Sequence, residues 1–242
     1  MSHPRRTAPR YVFLDVGETM LRVTQPGATY QTILARHGYD VPADTLNTTI
    51  REVFRSLDGE LPPVRRPDHT LAPDVARQRR ERMLAGVLER VGVASADTGP
   101  LAHAFYMSWL GTDIFQLYPD VPPTLAALRA AGYRLGIVSN WEPRLAQLCE
   151  SHGIHAHFEF VVCSEVEGYA KPHRRMFERA LELARVAPDA VVHVGDSYPE
   201  DVEGARAVGI HAVLVDRPGH GRVPYQPTIR SLDELPGLLA RI

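Results

Sequence analysis

The first clear pattern in the chain is a short apolar run, Tyr11-Val-Phe-Leu-Asp-Val, that stops at Gly17. A short apolar run bounded by a turn residue reads as a buried strand ending in a loop. The rhythm then changes. From about Gln25 to Phe115 apolar residues recur three or four apart, which predicts amphipathic helices over Ala28–His37, Ala43–Leu57, Pro73–Val91 and Leu101–Leu110. Asp58–Ala72, between the second and third, is rich in proline and charge and reads as a loop.

After Leu117 strands and helices alternate. Helices are predicted over Val121–Ala131, Pro143–His152, His173–Ala184, Glu200–Val208 and Ser231–Leu239. Strands are predicted over Tyr133–Val138, Phe158–Cys163, Ala190–Val194 and Ala212–Val215. Near-continuous apolar strands imply burial on both faces, and their alternation with helices implies right-handed crossovers and a parallel sheet. The fold class is therefore α/β: a doubly wound, Rossmann-like parallel sheet with an inserted all-helical cap. The first strand must rejoin the later ones, so residues 1–23 and 116–242 form the expected core domain and 24–115 the cap. Such an insertion would sit over the carboxyl ends of the strands, where open α/β sheets bind ligands.

Composition narrows the function. The 242 residues, 44% hydrophobic and 23% charged, carry a net charge of -2, the profile of an ordinary globular protein. There is no basic field to recruit nucleic acid. No run approaches 18 apolar residues, so no spanning helix is expected. The basic stretch Met1–Arg10 lacks a signal-peptide core after it, and the expected compartment is the cytoplasm. Cys149 and Cys163 are too few for a disulfide framework and read as small buried hydrophobes. Arginine supplies 26 of the 27 basic side chains, and Lys171 is the single lysine.

Polar signals follow four successive predicted strands: Asp15-Val-Gly-Glu-Thr19, Ser139-Asn140, Lys171-Pro172, and Gly195-Asp196 with Asp201. In this order and spacing the chain resembles the haloacid dehalogenase (HAD) superfamily, in the subgroup with a helical cap after the first motif. The resemblance covers residues 10–23 and 115–225 closely. It implies that Asp15 is a nucleophile forming an aspartyl-phosphate. It implies Mg²⁺ held by Asp15, Asp196 and the carbonyl of Gly17, with Asp201 acting through water or by orienting the site. Ser139 and Lys171 would be catalytic and bind the phosphoryl oxygens, with Asn140 beside them in substrate binding. The partner would be a small phosphorylated metabolite, with no nucleic acid and no membrane, and the protein a monomer or homodimer.

One position departs from the pattern. Family phosphatases carry a second aspartate two residues after the nucleophile, which protonates the leaving oxygen and then activates water. Here that position is Gly17. General acid–base catalysis is worth about 10²–10⁴-fold, so activated aryl phosphates should outpace alkyl phosphates. Glu18 and His69 are the candidate replacements, and Gly17→Asp is the direct test. The expected function is a Mg²⁺-dependent phosphatase. Two alternatives remain: a low-turnover phospho-ligand binding or regulatory protein, and a 2-haloacid dehalogenase. The retained Gly195-Asp196…Asp201 argues against the last, and the absence of any cap lysine excludes a Schiff base there.

Other features admit plain readings. Arg65, Arg66, Arg77, Arg79, Arg80 and Arg82 form either an anion clamp or a solvated face with local partners. Tyr106 and Trp109 read as core. Trp141 is either a pocket wall or a packing residue. Because Lys171 is the only lysine, an inactivating amine reagent should act there or at the amino terminus.

Overall fold

In the computed structural model, which describes residues 11–58, 61, 63–109, 111, 113–219, 221 and 223–241, the first apolar run forms strand β1 (Tyr11–Leu14), fully buried. Met1–Arg10 and Leu110, the expected end of the fourth helix, lie outside the described residues. A three-residue strand, β2 (Leu21–Val23), follows β1, and helices α1 (Gly27–Arg36), α2 (Ala43–Asp58), α3 (Pro73–Arg90) and α4 (Ser95–Ser108) come next. Strand β3 (Phe115–Leu117) pairs with β2 in a two-stranded sheet, where the chain leaves and returns. The remainder runs α5 (Val121–Ala130), β4 (Arg134–Ser139), α6 (Leu145–Ser151), β5 (Val161–Cys163), α7 (Ser164–Glu167), α8 (Arg174–Ala184) and β6 (Val191–Gly195). It ends with α9 (Gly204–Ala207), β7 (His211–Val215), β8 (Thr228–Ile229) and α10 (Leu235–Leu239).

Six strands form one sheet in the order β5-β4-β1-β6-β7-β8, every described pair parallel. Helices cover both faces, as the double-sided apolar strands require. Tyr11 and Phe13 share a face with Val138, Val162 and Val191 and pack under Met176, Phe177 and Ala180 of α8. Val12 and Leu14 point to the opposite face by the alternation of strand side chains. Leu14 is in register with Ile137 of β4 and Val194 of β6, so three strand ends lie level. The chain steps outward from β1 to β4 and β5, then returns to the far side of β1 as β6. That reversal makes the carboxyl end of β1 the switch point where such sheets bind ligands. Asp15 is the first residue beyond it.

The chain divides into two compact units, Met1–Arg22 with Pro67–Thr70 and Leu117–Ile242, and Val23–Arg66 with Leu71–Gln116. The second unit contains α1–α4. Inside it Tyr30 stacks on Phe105 at 3.8 Å between centroids, and the Asn47 side chain accepts the Gly27 N–H at 2.8 Å. Trp109 meets Phe115 edge-on, a core contact. Among the described residues no helix is long and apolar enough to cross a membrane.

Several boundaries differ from expectation for local reasons. Helix α4 begins at Ser95 rather than Leu101, because its first turn is small and polar and carries no apolar period. The helix expected over Glu200–Val208 starts earlier, as a wide turn over Tyr198–Glu203, with Ser197 Oγ accepting the Glu200 N–H. The last helix is split. A tight turn over Leu232–Glu234, held by a Ser231/Glu234 capping box, precedes α10. Both cysteines are buried and free. Burial pushes the Cys149 thiol up to about 12 and the Cys163 thiol up to about 11, so neither is reactive at neutral pH.

Candidate active site

Asp15 sits where β1 ends, its N–H still donating to the Val194 carbonyl at 2.9 Å. That last ladder bond fixes its backbone between β4 and β6. Its Oδ1 accepts from Ser139 Oγ at 2.9 Å and from Lys171 Nζ at 2.7 Å. Among the described residues no donor reaches Oδ2, which leaves that oxygen available to attack. Burial, opposed by Lys171 and reinforced by the charge of Asp201, raises the Asp15 carboxyl above the ordinary carboxylate range.

Lys171 is 1% exposed and serves two carboxylates. Its ammonium also donates to Asp201 Oδ1 at 2.5 Å. Burial alone would lower the Lys171 pKa, but Asp15 and Asp201 outweigh it and hold the amine protonated. Asp201 is just as occupied: Oδ1 also accepts from His193 Nε2 at 2.8 Å, and Oδ2 from the Ser197 N–H at 3.0 Å. Burial alone would raise Asp201, yet Lys171 and then His193 hold it well below the usual range. Since the carboxylate accepts, the imidazole proton sits on Nε2. His193 Nδ1 is buried and finds no partner among the described residues.

Asp196 stands at the exposed mouth of the group, and Thr19 Oγ1 reaches its Oδ1 at 3.4 Å. Partial burial of the carboxyl, then the charges of Asp15 and Asp201, push it up to about 7. Oxygens of Asp15, Asp196 and Asp201 all lie within 4.8 Å of one another. Three carboxylates so close to a single ammonium are short of positive charge. Their hard oxygen donors fit a divalent cation such as Mg²⁺. Gly195 leaves room for this arrangement, because a Cβ there would collide with the Asp201 side chain.

The loop after Asp15 is tied down from outside. The Gly17 carbonyl accepts the Thr19 N–H at 2.6 Å. Arg217, just past β7, donates to the Thr19 carbonyl through Nε at 3.0 Å and Nη2 at 2.6 Å. Its Nη1 pairs with both oxygens of Asp120, at 3.2 and 3.1 Å, and its guanidinium lies 3.7 Å over the Tyr118 ring. The Tyr118 hydroxyl donates to Glu18 Oε2 at 3.0 Å. A cavity of about 440 Å³ opens beside these groups, lined by Glu18, Asp196, Ser197, Tyr198 and Arg217.

The sequence-derived site residues therefore converge: Asp15, Ser139, Lys171, Asp196 and Asp201 form one connected group. Asn140 lies next to it, with its amide engaged elsewhere. Nδ2 donates to the Lys171 carbonyl and to Glu200 Oε2, and Oδ1 accepts the Lys171 N–H. His69 lies in the segment grouped with the core, and its carbonyl accepts the Ala170 N–H at 2.9 Å. The arginines of α3 have local partners: Arg77 with Glu81, Arg82 with Glu89, and Arg80 over the Tyr106 ring. His193 and Arg217 were absent from the sequence-based set. A histidine inside the apolar run Val191-Val-His-Val was a usable signal, since a buried polar group needs a partner. Arg217 carried none, as one arginine among 26.

A parallel sheet with its switch point at β1 and a carboxylate–lysine group at that point define a candidate active site of a doubly wound α/β protein. A family model described as haloacid dehalogenase-like hydrolase matches residues 9–209, and the chain belongs to that family of hydrolases. It is 33% identical over 235 residues to the Bos taurus haloacid dehalogenase-like hydrolase domain-containing protein 3, covering 95% of this chain and 88% of the relative. It is 37% identical over 139 residues to a Thermus thermophilus phosphoserine phosphatase, covering 57% and 55%. Among solved structures, a 2-haloacid dehalogenase from Pseudomonas syringae pv. Tomato DC3000 superposes with a TM-score of 0.66 at 26% identity, covering 96% and 99%.

Proposed function

We propose that this hydrolase is a Mg²⁺-dependent phosphatase that cleaves a small phosphorylated metabolite through an aspartyl-phosphate on Asp15. The observation that carries this reading is the trio Asp15, Asp196 and Asp201, with oxygens within 4.8 Å of one another. Attack on a carbon–halogen bond needs no cation, whereas a carboxylate approaching a phosphate dianion must have the repulsion neutralised. The phosphatases among the relatives point the same way.

Asp15, Asp196 and the Gly17 carbonyl would hold the Mg²⁺, with Asp201 orienting the site. When bound, the ion supplies Lewis-acid polarisation of a phosphoryl oxygen and offsets its charge. Ser139 and Lys171 fix Asp15 through Oδ1 and so present Oδ2 to phosphorus. The P–O bond to the leaving group breaks as the Asp15–phosphorus bond forms. Water then attacks phosphorus and returns the Asp15 carboxylate. Lys171, held protonated, places a fixed positive charge beside the developing negative charge. The helical segment 24–115 would be the cap domain that selects substrate.

The Pseudomonas syringae likeness favours carbon–halogen hydrolysis as the second reading. Hydrolysis of para-nitrophenyl phosphate, assayed with Mg²⁺ and with excess chelator, decides between them. The phosphatase reading expects turnover that chelation and Asp15→Asn both abolish. Turnover indifferent to chelation, or halide release from a 2-haloacid without metal, contradicts it.

A further inference from the structure

Trp141 stands against Gly17, and the pair bears on which phosphate compounds the site can cleave. A Cβ built on Gly17 would meet Trp141 Cζ3 at 3.3 Å, tighter than ordinary carbon contact. Gly17 has no positive φ, so its backbone does not call for glycine. It is the indole that a side chain there would meet, and the ring would have to give by a few tenths of an ångström. The backbone that carries the indole is firmly held. The Trp141 N–H donates to Ser164 Oγ at 3.0 Å, and its carbonyl accepts from Cys163 Sγ at 2.8 Å, Ser164 Oγ at 3.2 Å and the Glu165 N–H at 3.2 Å.

The titratable groups described around Asp15 are otherwise committed. Lys171 is bonded to two carboxylates. Asp201 accepts from Lys171, His193 and the Ser197 N–H. His193 is fully buried behind Asp201. Asp196 belongs to the proposed cation site. The Glu18 carboxylate accepts the Tyr118 hydroxyl, and its backbone is held at φ 52°. Each of these groups is engaged with a neighbour in the fold.

We infer that Trp141 and Gly17 together restrict the site to phosphate compounds whose leaving group departs as a weakly basic anion: aryl, enol or acyl phosphates. This rests on the aspartyl-phosphate reading above. In the first step Asp15 bonds to phosphorus while the leaving oxygen takes the P–O electron pair and departs unprotonated. In the second, water attacks phosphorus, its proton passes to solvent, and inorganic phosphate and the Asp15 carboxylate are released. Without a placed base the second step is slow, so the phosphorylated enzyme accumulates.

The test is a leaving-group series on the wild-type chain with Mg²⁺, from para-nitrophenyl phosphate through phenyl phosphate to glycerol phosphate, with Asp15→Asn alongside. The expected result is a steep fall in kcat/KM, with the alkyl ester at least about 10²-fold below the nitrophenyl ester, matching the usual worth of general acid catalysis. An alkyl ester within tenfold of the aryl ester while Asp15→Asn is dead overturns this inference and leaves the Asp15 mechanism standing. Full activity in Asp15→Asn overturns the underlying mechanism instead. His69→Ala should leave the series unchanged; if it steepens the series, His69 is the acid and the inference fails. Gly17→Asp alone should not rescue the alkyl ester, whereas Gly17→Asp with Trp141→Ala should raise it tenfold or more.

Discussion

The Lys171 ammonium lies 2.7 Å from Asp15 Oδ1, with 1% of the lysine exposed. This buried pair, with Asp201 on its other side, is the centre of the site and an electrostatic commitment of the fold. Lys171→Met leaves two buried carboxylates without their cation. Breaking a buried pair in this way costs about 3–5 kcal/mol. Urea unfolding should show that loss, larger at neutral pH than near pH 4, where the orphaned carboxylates can protonate. Lys171→Arg should be nearly as damaging, because a planar guanidinium does not fit where a compact ammonium donates to two close oxygens. Wild-type stability in either variant contradicts the geometry.

The same burial changes what amine chemistry can do. On sequence alone, an inactivating amine reagent acts at Lys171 or the amino terminus. With its ammonium bonded to two carboxylates, Lys171 is shielded in the native fold. Acylation of folded protein should therefore stop at the α-amino group and leave activity intact. Acylation after unfolding should add one further group, on the peptide containing Lys171. Mass spectrometry of both samples checks this, and rapid native labelling of Lys171 would refute it.

Asp196 would make cation binding depend on pH. Its carboxyl is raised from 3.8 to about 7, chiefly by burial. A carboxyl with a raised folded pKa contributes stability below its unfolded value, and that contribution is lost as pH rises through the folded value. Without added cation, stability should therefore decline as pH climbs from about 4 to 7. A divalent cation must displace that proton, so its affinity should fall about tenfold per pH unit below 7. Calorimetry should show the Mg²⁺-induced rise in Tm growing from pH 6 to pH 8, and Asp196→Asn should flatten it. An equal rise at both pH values would contradict this role.

Arg217 acts on the site through the Thr19 carbonyl. Arg217→Lys keeps the charge but loses the fork that spans Thr19 and Asp120 and the stacking on Tyr118. Loosening the loop that carries Asp15 should lower kcat roughly 10- to 100-fold, with a smaller change in KM. Steady-state kinetics on a variant with wild-type circular dichroism separates this from unfolding. An unchanged kcat would mean that the loop holds its geometry unaided.

Most of the core was legible because strand periodicity and strand-end polar residues are local signals. The runs around Phe13, Ile137 and Val192 mark three adjacent strands, and Asp15, Ser139 and Asp196 follow them directly. Strands β2 and β3 escaped because three residues are too few to establish a period. The start of α4 escaped because Ser95-Ala-Asp-Thr-Gly-Pro has no apolar face. Contacts distant in sequence were the least legible. Nothing local ties Arg217 to Thr19, and nothing in Ser139-Asn-Trp141 says that the indole leans on Gly17.

The central claim is that Asp15 attacks phosphorus. The most direct measurement is peptide mass spectrometry of enzyme quenched in acid within milliseconds of mixing with para-nitrophenyl phosphate and Mg²⁺. The account predicts a phosphoryl group on the peptide carrying Asp15, formed with a burst of nitrophenolate of about one equivalent and absent from Asp15→Asn. Nitrophenolate release with no phosphoryl group on that peptide, or with the group on another residue, would contradict it.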